Sequence, residues 1–450
     1  MKDQKEFILQ GDLKQVMWQT SWPAVVAIVL YGVNNFLDAI FVGRLINNEA
    51  LAAVGMAYPL SQIVLGFGRL IGVGSSAALS IWLGANEKGK LYKLFGSFNV
   101  LCLFFSLAFT IPAYIFAHEL LYLMGARGTI EVLATQYFRV TLIGSIFWIH
   151  GLAINMVVRG EGKMKKAAAM ITVGLIIDIL LKPIFISTFG WGVMGAAWAT
   201  NVGMIVYSFL GLYYFASKKN SFETNWKSLS YDKVIGNSIL KLGFPEMIFS
   251  IMNVLQSMII FNALSQYGTA DDISFYTVVN RFFLFLLTPL FGLMRGLQPV
   301  VGMNYGAGQH ERAKKSLIIY TVTGILILSP FYLASLLFPA EVIGTMLPNT
   351  HIEIEQLNHF RIYLSTLPLL PITVLALSYF PAINNSKKAS SLALLRQLVF
   401  YIPLMILLPM YFGISSIYWG SALIEITVVI ITIIFIKMDF DAKKKEKELV

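Results

Sequence analysis

Apolar residues run along this chain in long unbroken blocks separated by short polar stretches. A helix needs about 20 residues to cross the roughly 30 Å hydrocarbon core of a bilayer. Blocks of that size fall near 16–43, 51–83, 95–117, 132–157, 167–188, 192–216, 238–266, 272–305, 316–338, 354–380, 390–411 and 414–437. They are built from Leu, Ile, Ala, Met and Phe and lack the period-two alternation of a membrane barrel strand. The pattern predicts an all-α integral membrane protein with twelve transmembrane helices. The first block is too long for a signal-peptide core and has no small-residue cleavage site, so it is expected to remain as a helix.

Charge placement tests that count. With the blocks taken in order, the basic residues gather on every second connection: Lys88, Lys90 and Lys93; Arg159, Lys163, Lys165 and Lys166; Lys218, Lys219, Lys227, Lys233 and Lys241; Arg312, Lys314 and Lys315; Lys387 and Lys388. With both ends of the chain these hold 25 of the 34 Lys and Arg residues. The alternate connections and their helix ends hold only Arg44, Arg127, Arg139 and Arg361. The positive-inside rule then predicts a multi-pass protein of the cell membrane with both termini cytoplasmic. Charged residues make up 13% of the chain, against about 25% in soluble proteins. The net charge of +10 therefore reads as topology and attraction to anionic lipid head groups of the bilayer, with no nucleic-acid partner. Cys102 is the single cysteine, which leaves no disulfide framework and no cysteine metal site. A monomer is expected.

The halves repeat. Adding 222 to a residue number pairs Pro23 with Pro245, Gly74 with Gly296, Gly84-Ala85 with Gly306-Ala307, Met124 with Met346 and Glu131 with Glu353. The same offset pairs Phe138-Arg139 with Phe360-Arg361 and Lys165-Lys166-Ala167 with Lys387-Lys388-Ala389; Phe189-Gly190 and Phe412-Gly413 have drifted by one. Two pseudo-symmetric six-helix bundles follow: an N-lobe over 1–216, a polar linker over 217–237, a C-lobe over 238–437 and a charged tail over 438–450. Six is even, so both bundles enter the membrane in the same direction. Parallel repeats of this kind place substrate between the halves and work by rocking one against the other.

The motifs resemble the multidrug and toxic compound extrusion (MATE) transporters over essentially the whole chain. Asn280-Arg281, Gly296-Leu297-Gln298-Pro299 and Gly302-Met303-Asn304-Tyr305-Gly306-Ala307 resemble that family's eighth-helix signature, and Arg159-Gly160-Glu161-Gly162 the motif after its fourth helix. Arg396-Gln397 with Pro403 and Pro409 resembles its eleventh helix, particularly in the MepA-like bacterial branch. The resemblance implies no enzyme activity. It implies export of amphipathic, often cationic small molecules in exchange for protons or sodium.

Ionisable groups at membrane depth cost about 2.5–3.5 kcal/mol on insertion scales and mark functional sites by default. Asp38, in Asn34-Asn35-Phe36-Leu37-Asp38, matches the family's first-helix acid, implied to bind the coupling cation and exchange it against substrate. Desolvation weakens the charged form of such a carboxylate, which lets it hold a cation reversibly. The fifth helix departs from the family. Its usual pattern reads Asn, then Asp four residues on, then Pro; here the positions hold Asp178, Lys182 and Pro183. Asp178 and Lys182 are spaced to share a helix face and pair, Pro183 frees the carbonyl of Ile179 and can bend the helix, and Thr200 matches the family threonine near these acids. An ammonium where sodium would sit both repels that ion and substitutes for it. Proton coupling, or weakened coupling, is therefore expected over a sodium site of the family kind, with sodium as the alternative coupling ion, no metal-ligand cluster and no organic cofactor.

The second lobe offers Gln256, Arg295 and Glu425 as substrate or proton groups, without the acids some relatives carry after Pro245 and in the tenth helix. Arg281 and Arg396 sit in motif positions and are expected to anchor backbone carbonyls. His150 reads as a packed polar residue. Gly84 to Leu91 nearly spells a phosphate-binding loop, but Leu91 replaces the required hydroxyl residue and a helix precedes it. Two alternatives stay open: a flippase or exporter of lipid-linked or anionic substrates, kept alive by Arg69, Lys182 and Arg295, and a transport-inactive receptor or scaffold.

Overall fold

The computed structural model describes residues 4–344 and 353–448. The first lobe runs through α1 (Gln4–Gln10), α2 (Leu13–Leu45), α3 (Asn48–Gly84), α4 (Lys88–Ile115), α5 (Ala117–Leu123), α6 (Gly128–Ile143), α7 (Ser145–Gly160), α8 (Met164–Pro183) and α9 (Gly192–Ala216). The second begins with α10 (Lys233–Tyr267), α11 (Ala270–Leu286), α12 (Thr288–Gly306), α13 (His310–Leu337) and α14 (Pro339–Gly344). It ends with α15 (Ile354–Leu364), α16 (Leu370–Ala382), α17 (Ser386–Leu394), α18 (Ile402–Phe412) and α19 (Ser415–Glu448). Met346, paired with Met124 by the repeat, lies outside the described residues. Eleven spans, three of them continuing across a short break in the helix and one a fusion of α11 with α12, are long and apolar enough to cross a membrane. The α6–α7 pair makes a twelfth, bent by 53°, so the fold is an all-α integral membrane protein. The bend has a tertiary cause. Asn201 of α9 packs into the space a side chain at Gly144 would fill, donates to the Val140 carbonyl at 2.7 Å and accepts from Trp148 Nε1 at 2.9 Å. The Val140 carbonyl freed at the break is thereby satisfied.

The repeat is visible as reciprocal packing between lobes. A Cβ on Gly84 would strike the carbonyl of Met303, and a Cβ on Gly306 would strike that of Ile81. The partners are themselves offset by 222, so a pseudo-twofold axis passes between α3 and α12. Gly74 meets Ile239 and Gly243 of α10 with equal closeness. Such backbone-on-backbone contact is how membrane helices gain packing energy where lipid removes the hydrophobic drive. These contacts, with those of α2 against Gly292 and Gly296, lie in the helix halves nearest the Lys-rich connections. The lobes are closed against each other at this basic face.

The linker is pinned under the first lobe. Asn99 donates to the carbonyls of Trp226 (2.9 Å) and Ser228 (3.0 Å). The buried Glu161 accepts from Ser221 N at 2.8 Å and Tyr214 OH at 3.1 Å. α10 starts at Lys233, inside the stretch read as linker, because Asp232 caps it by accepting from Val234 N and Ile235 N. Hydrogen bonds from the backbone N–H of Ile235 and then the Lys93 side chain hold the Asp232 carboxyl below its ordinary pKa.

Candidate functional site

Two helix faces build the first-lobe site. Residues four apart share a face, so α2 presents Asn34 and Asp38 together and α8 presents Asp178 and Lys182. The faces meet. Lys182 Nζ lies 3.2 Å from Asp178 Oδ1 and donates a short bond to Asp38 Oδ1. Asn34 Nδ2 donates to Asp178 Oδ2 and Thr200 Oγ1 to Asp178 Oδ1, both at 3.1 Å. Every Asp178 oxygen is thus occupied, and the residue is buried with Lys182. Asp38 is the accessible member, its side chain 28% exposed. Asn35, one residue round the helix from Asn34, is exposed and makes no bond to the cluster. The irregular backbone expected at Pro183 takes the form of a π turn, Ile184–Thr188; such turns recur at functional sites. Asp178 and Thr200 line a cavity of about 90 Å³, with Tyr31, Leu65 and Tyr207 on its walls.

Gln256 and Glu425 line a separate cavity of about 280 Å³ inside the second lobe. Arg396 donates to Glu425 Oε1 from Nε (3.0 Å) and an Nη (2.5 Å), and Tyr401 OH adds a bond of 3.1 Å to the same oxygen. Residues five apart on an α-helix point about 140° from each other. Arg396 and Tyr401 reach one carboxylate because Leu395–Tyr401 is wound as a π-helix. Gln397, in that same stretch, donates to Gln256 Oε1 at 2.8 Å. Arg396 thus pairs with an acid and not with the backbone carbonyls expected of it, while Arg281 is exposed and bonds no carbonyl among the described residues. His150 is packed as expected, bonded to Ser208 Oγ at 2.7 Å.

Arg295 does not join Gln256 and Glu425. It faces a third cavity, about 200 Å³, between the lobes, with Arg69, Arg159 and Glu246. Arg159 is the residue the charge pattern misplaced. It was counted with a basic connection, yet it sits in the last turn of α7 and is 8% exposed. The signal was present: Met156-Val157-Val158 runs into it without a polar break.

The MatE family model matches this chain twice, over residues 23–184 and 245–407, and the two matches start 222 residues apart. The multidrug export protein MepA of Staphylococcus aureus (strain MRSA252) is 23% identical over 434 residues, covering 94% of each chain. That of Staphylococcus saprophyticus is 24% identical over 427 residues, again 94% of each. A solved structure described as MATE in the bent conformation superposes with a TM-score of 0.92 at 24% identity, covering 99% of both chains. One described as the outward-facing conformation of a multidrug resistance MATE family transporter superposes at 0.88, with the same identity and coverage. The fold is that of these transporters, and the family model spans most of both lobes: the chain belongs to the MatE family of multidrug and toxic compound extrusion transporters and is not an enzyme.

Proposed function

We propose that this chain is a secondary active exporter that moves amphipathic compounds out of the cell against protons, with sodium excluded. Export of drugs is what the MepA relatives are named for. The observation that carries the coupling is the trio Asp38–Lys182–Asp178. Two carboxylates and one built-in ammonium leave a single net negative charge, held on the accessible member. A proton on Asp38 neutralises that remainder and turns the charged acceptor that ties Lys182 of α8 to α2 into a weaker, neutral one. Lys182 then pairs with Asp178 alone, and α2 loses its ionic tie to α8 while keeping the bond from Asn34 to Asp178.

Coupling needs the protonated and charged forms to favour different arrangements of the lobes, since equal binding to both shifts nothing. The basic face, read as cytoplasmic by its lysines, is closed by the glycine seam, which supports an arrangement open to the opposite side. Rocking of the lobes about that seam is the complementary step. Purified protein in liposomes, loaded with an amphipathic fluorescent dye and given an imposed proton or sodium gradient, tests this. Efflux should follow the proton gradient, ignore sodium and vanish in Asp38→Asn. Efflux by Asp38→Asn at the full rate, or efflux driven by sodium alone, defeats the coupling scheme.

A further inference from the structure

Four arginines of this protein are held by backbone carbonyls or by an acid. Arg127 donates to the carbonyls of Tyr122 and Ala126, Arg361 to that of Leu336, and Arg312 to those of Ile8 and Gly11; Arg396 pairs with Glu425. Each of these is accounted for as structure. Arg69, Arg159 and Arg295 are not. They come from three helices, α3, α7 and α12, and converge on the cavity between the lobes; the same three also line the adjoining first-lobe cavity. Among the described residues none of them forms an ion pair or bonds a backbone carbonyl. Arg69 has one neutral contact, 2.8 Å to Ser250 Oγ across the lobe boundary. The buried Arg159 Nε has no partner. Glu246 is the one carboxylate on that cavity's wall; it lies within electrostatic reach of Arg159 and Arg295 but, among the described residues, forms no close ion pair with any of the three.

Three guanidiniums facing one acid leave this space with a surplus of two positive charges. A cation at membrane depth costs about 2.5–3.5 kcal/mol, and three left together repel one another besides. A chain does not need such a set for packing when apolar residues would fill the space. Guanidinium forks are the side chains best matched to carboxylate, phosphate and sulfonate oxygens. Around them the walls are apolar: Leu65, Met156 and Leu175 on the first-lobe side, Phe249, Phe291 and Met294 on the second. The acid trio, whose Asp178 lines the first-lobe cavity with the same arginines, carries one negative charge at most, so the two cavities together keep a positive surplus.

We infer that the cavity between the lobes binds the acidic group of an amphipathic anion on Arg69, Arg159 and Arg295, with the apolar body against the Met, Leu and Phe walls, so that this transporter's cargo is anionic or zwitterionic. The inference rests on the export reading above and names its cargo class. The acidic group belongs either to a free amphiphile or to a lipid head group.

The test uses the full chain in detergent and two dansyl probes, 11-(dansylamino)undecanoate and its trimethylammonium counterpart, read by energy transfer from tryptophan. The wild type should bind the carboxylate about tenfold tighter than the ammonium, and Arg69→Gln or Arg295→Gln should each weaken the carboxylate by about tenfold, the loss of one charge-assisted bond. Arg295→Lys, which keeps the charge, should retain the preference. Equal or tighter binding of the ammonium, or Gln variants that fold and bind the carboxylate as the wild type does, overturns the inference. Should the Gln variants fail to fold, the wild-type preference between the probes decides. In liposomes, efflux of the dansyl carboxylate assigns the acid to a free amphiphile, and scrambling of fluorescent phosphatidylglycerol assigns it to a head group; either should be lost in Arg295→Gln. Binding with neither movement under any gradient leaves the anion site standing and removes the export reading.

Discussion

Replacing Lys182 with methionine removes a charge while keeping most of the side chain's volume. The ammonium sits 3.2 Å from one Asp178 oxygen and also holds Asp38. At an effective dielectric of about 20, a unit-charge pair at that distance is worth about 5 kcal/mol before desolvation is counted. Removing one partner of a buried pair costs about 3–5 kcal/mol, because the other charge stays behind unpaired. Here two carboxylates stay behind, one of them buried, so the cluster moves from one net negative charge to two. The variant should unfold at a markedly lower temperature than wild type in choline chloride at neutral pH. Sodium chloride at the same ionic strength should restore part of the loss, since a cation that binds the folded state alone stabilises it by mass action. Acidification should do the same by protonating one carboxylate, while the wild type should gain no stability from sodium and none from acid. Adding Asp178→Asn should recover most of the stability without sodium. Thermal unfolding in detergent, followed by size-exclusion or intrinsic fluorescence, reads all four conditions. A Lys182→Met protein as stable as wild type in choline, or one no more responsive to sodium, would refute the view that the ammonium occupies a cation's place.

Three further outcomes follow from other parts of the molecule. Gly84→Leu puts a side chain into the Met303 carbonyl; overpacking of about 1–3 kcal/mol should move the lobes towards the arrangement open at the basic face, read by spin-label distances between lobes, and an unchanged distance distribution would count against the seam. Glu425→Leu strands the Arg396 guanidinium and should cost about 3–5 kcal/mol, with Arg396→Met in the same chain restoring much of it. Because Asp232 has a lower pKa folded than unfolded, its cap should stabilise fully above the ordinary carboxylate value of about 3.9 and fail as pH falls through the folded value. Pepsin cleavage of the 217–232 linker should rise over that window in wild type, and Asp232→Asn should be cleaved readily throughout.

Much of the architecture was legible without coordinates because the bilayer imposes it. Span length, helix as the backbone solution, and lysines on alternate connections all follow from local composition. The offset of 222 predicted two alike lobes, and the repeat partners Gly84 and Gly306 face Met303 and Ile81, themselves repeat partners, across them. The pairing of Asp178 with Lys182 was equally readable, since residues four apart on one helix must share a face. The twelfth span was readable as a length but not as a bend, because Asn201 that sustains the break comes from another helix.

The sequence by itself determined which residues enter the membrane, how many times, and that charges there demand a use. Only the tertiary structure decided which charges meet. Lys182 reaches Asp38 because α8 packs on α2. Arg396 and Tyr401 share Glu425 because a π-helical turn realigns them. Arg69 and Arg295, grouped by the sequence, are joined by Arg159 from a basic connection and face one cavity because the lobes close over it. Helical periodicity is a local property read within a few residues, whereas the sign of a cavity is a sum over helices that no single segment records.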